Sequence, residues 1–100
     1  MFKIRNKKVV CKDGFTMSVQ ANDTAYCYPR AINASKYEKV EIGFPSAADD
    51  LLLEYAEDPT SPTGTVYAYV PASVVSLVIA KHGGMIEGEL PAGIPRLEAQ

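Results

Sequence analysis

The chain has no tryptophan, a single histidine and only two cysteines in 100 residues. Each scarcity removes a class of chemistry. Cys11 and Cys27 belong to no Cys-x-x-Cys pair, and their spacing to His82 matches no standard zinc pattern. They are expected as buried free thiols of a reducing compartment. A disulfide between them requires their strands to be neighbours, with Cα atoms within about 7 Å. The chain also lacks any run of about 18 apolar residues, so no membrane-spanning helix is expected. Its opening Met1-Phe2-Lys3-Ile4-Arg5 lacks the apolar stretch of a signal peptide, which predicts a cytoplasmic protein. The sequons at Asn22 and Asn33 then carry no meaning.

Catalytic constellations are equally scarce. A general base needs a nucleophile within hydrogen-bond reach, and nothing flanking His82 supplies one. His82 is read instead as a helix-terminal residue. Asp49 and Asp50 are adjacent, so on a helix they diverge by about 100° and do not form a paired acid and base. Gly83-Gly84 follows a helix signal instead of preceding one, so it is no phosphate cradle. No enzyme activity, cofactor or metal is expected.

What is present is an ordinary globular composition. Hydrophobic residues make up 47% and charged residues 22%, enough for one modest core in one domain. The domain is expected over residues 1–90, with an extended or frayed tail over 91–100. The formal net charge is −2, but the charges are segregated. Lys3, Arg5, Lys7, Lys8 and Lys12 crowd the start. Asp49, Asp50, Glu54, Glu57 and Asp58 form a block without a basic residue.

The hydrophobic pattern predicts an α+β fold, a small antiparallel meander carrying helices. Phe2 to Arg5 alternates as a short strand, and Asn6-Lys7 is compatible with a turn. Lys8 to Cys11 is a second strand. Asp13-Gly14 is a hairpin signal, since glycine accepts the positive φ that such turns need. Phe15 to Gln20 alternates, with Phe15, Met17 and Val19 on one side. Thr24 to Tyr28 fits a further strand, ended by Pro29. Lys39 to Phe44 is the next, with Val40, Ile42 and Phe44 pointing one way. Ser46 as N-cap and the stripe Ala48, Leu51, Leu52, Tyr55 predict a helix over about 47–56. A buried strand over Leu51 to Ala56 is the alternative. Asp58 to Gly64 is a loop and Val66 to Val70 a central strand. Pro71 opens a helix over about 72–82 that Gly83 closes, and Met85-Ile86 resumes as a strand.

Two binding classes remain. Protein recognition draws on the acidic block Asp49, Asp50, Glu54, Glu57 and Asp58, six tyrosines and exposed strand edges. The partner is another protein or a second copy of the chain. Nucleic-acid binding draws on Lys3, Arg5, Lys7, Lys8 and Lys12, with Tyr26, Tyr28 and Arg30 to stack a base and hold phosphate.

The segments CKDGFTMSVQA at 11–21, YCYPR at 26–30 and VEIGFPSA at 40–47 resemble short uncharacterised proteins of tailed bacteriophages. YAEDP at 55–59, TVYAYVP at 65–71 and AKHGG at 80–84 extend the resemblance over roughly residues 9–86. No activity or site residue comes with it. It implies a context, in which small phage proteins bind and disable host proteins such as CRISPR-type defence complexes or the transcription machinery. In that context the acidic block would imitate phosphate charge in a nucleic-acid groove. A minor virion or morphogenesis protein is the rival within the same context.

Overall fold

The computed structural model describes residues 5–100. The expected strand over Phe2 to Arg5 and the side chain of Lys3 therefore lie outside the described residues, except for Arg5. Five strands form one sheet: β1 (Val9–Cys11), β2 (Thr16–Gln20), β3 (Lys39–Gly43), β4 (Val66–Pro71) and β5 (Met85–Glu87). Their order is β4-β3-β2-β1-β5, and every neighbouring pair is antiparallel. The helix α1 (Ala72–Lys81) carries the chain from β4 at one edge to β5 at the other. The α+β class expected from the pattern is the observed one.

Local signals account for most of these elements. Asp13-Gly14 closes the β1–β2 hairpin, where the Cys11 N–H donates to the Phe15 carbonyl at 2.8 Å. The Asp13 carboxylate accepts from the Phe15 N–H at 2.9 Å and fixes the turn. Beyond the ladder, the Gln20 amide mimics a strand. Its Oε1 accepts from the Asn6 N–H and its Nε2 donates to the Asn6 carbonyl, both at 2.9 Å. This pairing holds residues 6–8 alongside β2, so no turn forms at Asn6-Lys7.

β2 divides its partners. Thr16 and Met17 pair with β1, whereas Ser18, Val19 and Gln20 pair with β3. Met17 and Val19 join Val9, Val40, Ile42, Tyr67 and Val70 in a fully buried cluster. Val75, Val78 and Ile79 of α1 complete that core from above. Each such aliphatic side chain contributes roughly 1.5–3 kcal/mol by leaving water. Both cysteines are buried and free, and burial pushes the Cys11 thiol pKa up.

Four expectations are corrected. Val66 to Val70, expected as a central strand, lies in β4 at the edge of the sheet, where residues 56–57 and not a further strand meet its outer side. Residues 47–56 form neither a helix nor a buried strand, but turns ending in a single 3-10 turn, Leu53–Tyr55. The Asp49 carboxylate takes the Leu51 N–H at 2.9 Å, as an N-cap would, but the chain makes only two short turns before Ala56 becomes extended and joins Tyr67 of β4, which ends any helix there. Thr24 to Tyr28 is a loop, joined to β3 by the Tyr28–Lys39 bridge and by the Tyr26 N–H donating to the Glu41 carboxylate at 2.9 Å. Phe44 does not follow Val40 and Ile42 inward. It takes a φ of 47° and stands 52% exposed.

The strand edges are not bare either. Along the outer side of β4, Ala56 bridges Tyr67 and the Glu57 N–H donates to the Val66 carbonyl, while in the β3–β4 irregularity the Tyr69 N–H donates to the Tyr26 carbonyl. β5 is covered by the chain end, where the Met85 N–H donates to Leu97 and the Ala99 N–H to Met85. The segment 91–100 is held against the domain: it turns at residues 92–94, where the Ile94 N–H donates to the Pro91 carbonyl, Ile94 is buried, and the Lys12 Nζ donates to the Gln100 carbonyl. Gly84 permits the close approach, since a Cβ there would lie 2.7 Å from the Ala99 Cα. Gly84→Ala is therefore expected to lower stability by more than about 1 kcal/mol. It should also strip the Ala99 amide of hydrogen-exchange protection while leaving β2 and β3 amides slow.

Candidate functional site

The chain's one histidine sits where three segments meet. His82 caps α1, and its N–H donates to the Val78 carbonyl at 3.1 Å. Gly83, with φ of 93°, then turns the chain toward β5. That closure projects the imidazole over the β1–β2 hairpin. There it stacks on Phe15 with ring centroids 3.9 Å apart and planes within 6°.

Both ring nitrogens meet carboxylates. Nδ1 lies 2.6 Å from Asp13 Oδ2 and Nε2 lies 2.8 Å from Asp49 Oδ2. Lys81 Nζ approaches the same Asp49 oxygen at 3.3 Å. Asp13 comes from the hairpin turn, Asp49 from the turn after β3, and His82 with Lys81 from the helix end. The Asp49 side chain is 1% exposed and that of His82 14%, while Asp13 is half exposed.

Charge explains the arrangement. Burial opposes a charged imidazole, but the hydrogen bonds and negative charges of Asp13 and Asp49 outweigh it and raise the His82 pKa. Burial likewise works against the Asp49 carboxylate, but the bonds from His82, the Leu51 N–H and Lys81 prevail and lower its pKa. The Asp13 pKa is lowered first by the Phe15 N–H and then by His82. The stable form is an imidazolium donating to two carboxylates. With both nitrogens occupied, the ring has no lone pair to accept a proton from a substrate. Ser46 lies beside the cluster, but its hydroxyl already accepts from the Thr16 N–H at 2.9 Å. The geometry is that of a fastening, and it supplies no activated nucleophile. Among the described residues, no group of three or more His, Cys, Asp or Glu side chains is arranged to hold a metal ion.

The acidic block thus divides. Asp49 belongs to the fastening and offers no surface charge, which corrects its place in a docking patch. The Asp58 carboxylate is engaged locally, accepting from the Thr60 N–H at 3.0 Å and the Thr60 hydroxyl at 2.6 Å. Asp50, Glu54 and Glu57 are exposed, and among the described residues their carboxylates make no hydrogen bond or ion pair. Between them, Leu51 and Leu53 are 37% and 40% exposed.

The basic set is dispersed. Lys7 and Lys8 precede β1 at one end of the sheet, whereas Lys12 follows it at the other and reaches the chain terminus. Arg5 and Lys8 are exposed. Tyr26 and Tyr28 sit against β4 and β3, two or more strands away from β1. Arg30 donates to the Thr24 carbonyl at 3.0 Å within its own loop. Sequence reasoning missed Tyr69, whose ring lies 6.1 Å from that of Tyr26. It also missed the Asp13–His82–Asp49 bridge. The three residue types were visible, but their spacing carried no signal.

Compared with known proteins, the chain matches no family model, no curated protein and no solved structure. Among the described residues, no helix is long and apolar enough to cross a membrane.

The bridge makes stability depend on pH with a definite sign. The His82 pKa is raised on folding, so its contribution is full below about pH 6.5 and is lost as pH climbs through the folded value. Asp13 and Asp49 are lowered, so theirs is full above about pH 4 and is lost as pH falls through their folded values. Urea unfolding should be most resistant between about pH 4 and 6.5 and weaken above that window. His82→Gln should flatten the alkaline decline and lower stability at pH 6 by about 1.5–3 kcal/mol. An unchanged alkaline slope would show that another group sets it.

Proposed function

We propose that this chain is a protein-interaction module that docks through the exposed turn over residues 50–58. The observation that carries the reading is the interleaving there of Asp50, Glu54 and Glu57 with the solvent-facing Leu51 and Leu53. Apolar side chains flanked by unengaged charges supply both burial and steering at an interface. The buried Asp49 supports this by fixing the turn from beneath, so the segment is presented in one conformation and little ordering entropy is lost on binding.

The resemblance to small phage proteins supplies a context. In it, the module inhibits a host protein, such as a CRISPR-type defence complex or part of the transcription machinery. A minor virion or morphogenesis protein is the rival, and detection in purified particles would decide for it. The nucleic-acid reading has less support, because its basic residues and its tyrosines occupy different strands and ends of the sheet.

The test separates surface charge from fastening. A triple reversal, Asp50→Lys with Glu54→Lys and Glu57→Lys, is expected to fold with an unchanged melting temperature. It should lose the stoichiometric partner that tagged wild-type protein recovers from infected cells, and with it any inhibition. Asp49→Lys, by contrast, should fail to fold. A triple variant that keeps its partner and its inhibition sinks the acidic docking surface.

A further inference from the structure

Two aromatic side chains stand in water on backbones that disfavour them. Phe44 is 52% exposed at a φ of 47°, and Tyr69 is 41% exposed at a φ of 53°. The left-handed region crowds Cβ against the backbone for an L-residue, and for bulky side chains it is an outlier. Asn33 shares the conformation at 56°, but asparagine adopts it readily. Phe44 and Tyr69 therefore cost stability through the backbone, and their half-exposed rings return only part of what a buried aromatic would. A glycine or asparagine would serve the fold better at either position. Strain retained at exposed aromatics directs attention to what they contact outside the molecule.

Their placement adds to this. Phe44 leaves β3 beside the start of β4, its N–H donating to the Thr65 carbonyl at 3.1 Å. On the other side of Thr65, the Asp58 N–H donates to the Thr65 hydroxyl at 3.1 Å. Next along β4, the Glu57 N–H reaches the Val66 carbonyl at 3.0 Å. Further on, Val40 pairs with Val70 and Ile42 with Tyr67, so Ala68 and Tyr69 together face Glu41. This bulge turns Tyr69 outward beside Tyr26. Along β4 the order is therefore Phe44 and Asp58 on opposite sides of Thr65, then Glu57 beside Val66, then Tyr69 with Tyr26, so the two acidic residues lie between the aromatics along the strand.

We infer that Phe44 and Tyr69 anchor a protein-binding edge along β4 whose partner is a basic, arginine-bearing protein surface with apolar recesses. The inference rests on the protein-interaction reading and extends its surface beyond the turn over 50–58. Carboxylates between the anchors favour a cationic partner. Tyrosine faces accept a guanidinium, and tyrosine and arginine are the residues most often found at interface hot spots.

The experiment uses Phe44→Asn and Tyr69→Asn with a displayed library of random 12-residue peptides, selected on immobilised wild-type protein. Phe44→Asn is expected to melt at or above the wild-type temperature. Tyr69→Asn, which also loses the Tyr26 ring contact, should melt close to it. Enriched peptides should carry arginine or lysine with large apolar residues. In fluorescence polarisation, the strongest should bind each variant at least about tenfold more weakly than wild type. The inference is overturned by enriched peptides without basic residues, by binding that survives both substitutions, or by no enrichment over a bare-support control. A Phe44→Asn protein that melts well below wild type overturns it too, since Phe44 would then be structural. So does a labelled oligothymidine that binds tighter than any peptide and depends on Tyr26 and Tyr69, which would assign the edge to nucleic acid. Loss of the cellular partner in the triple reversal, with peptide binding intact in both asparagine variants, would retain the docking turn and reject the anchors. The opposite pattern would retain the anchors and reject the turn.

Discussion

An imidazolium held between two carboxylates is the constraint on which the arrangement of this molecule depends. His82 joins the hairpin turn at Asp13, the turn after β3 at Asp49 and the end of α1, and its ring lies flat on Phe15. With Lys81 the cluster holds two acids and two bases, so the buried Asp49 carboxylate is balanced without a counter-ion from solvent. A buried carboxylate is costly wherever it lacks such partners, so the turn over 47–56 has one favourable position and many poor ones. The bridge therefore specifies geometry as much as it stabilises it.

That constraint also sorts the polar residues by what they are able to do. The histidine and the innermost acid of the block are consumed by architecture. The residues left facing solvent are leucines, tyrosines, Phe44 and carboxylates that the fold does not use. The core, built from β1 to β4 and α1, is filled by side chains. The exposed side chains on which the proposed docking draws lie on the rim, in the turn after β3 and along β4.

Much of the fold was legible because its determinants are local. Asp13-Gly14 announced the hairpin, alternation announced β2 and β3, and Pro71 with Gly83 bracketed α1 to within a residue. The bridge was illegible because its residues lie 69 and 33 positions apart, and no periodicity links them. The same bridge explains the misreading of 47–56. A real amphipathic stripe was present, but Asp49 is tied to His82 and Ala56 to Tyr67, and of that stripe only Leu52 becomes fully buried. Phe44 was misassigned because strand parity stops at Gly43, and Phe44 itself then takes the left-handed conformation. Tyr69 escaped notice because a bulge is a property of two strands, and nothing in Val66 to Pro71 alone marks it.

The covered flanks of the sheet have a wider consequence. Residues 56–57 occupy outer hydrogen-bonding groups at Val66 and Tyr67 of β4, and residues 97–99 occupy those of Met85 in β5. Both contacts shorten the run of main chain on which a further strand could be templated, which is the step by which short β-rich chains grow into ribbons and fibrils.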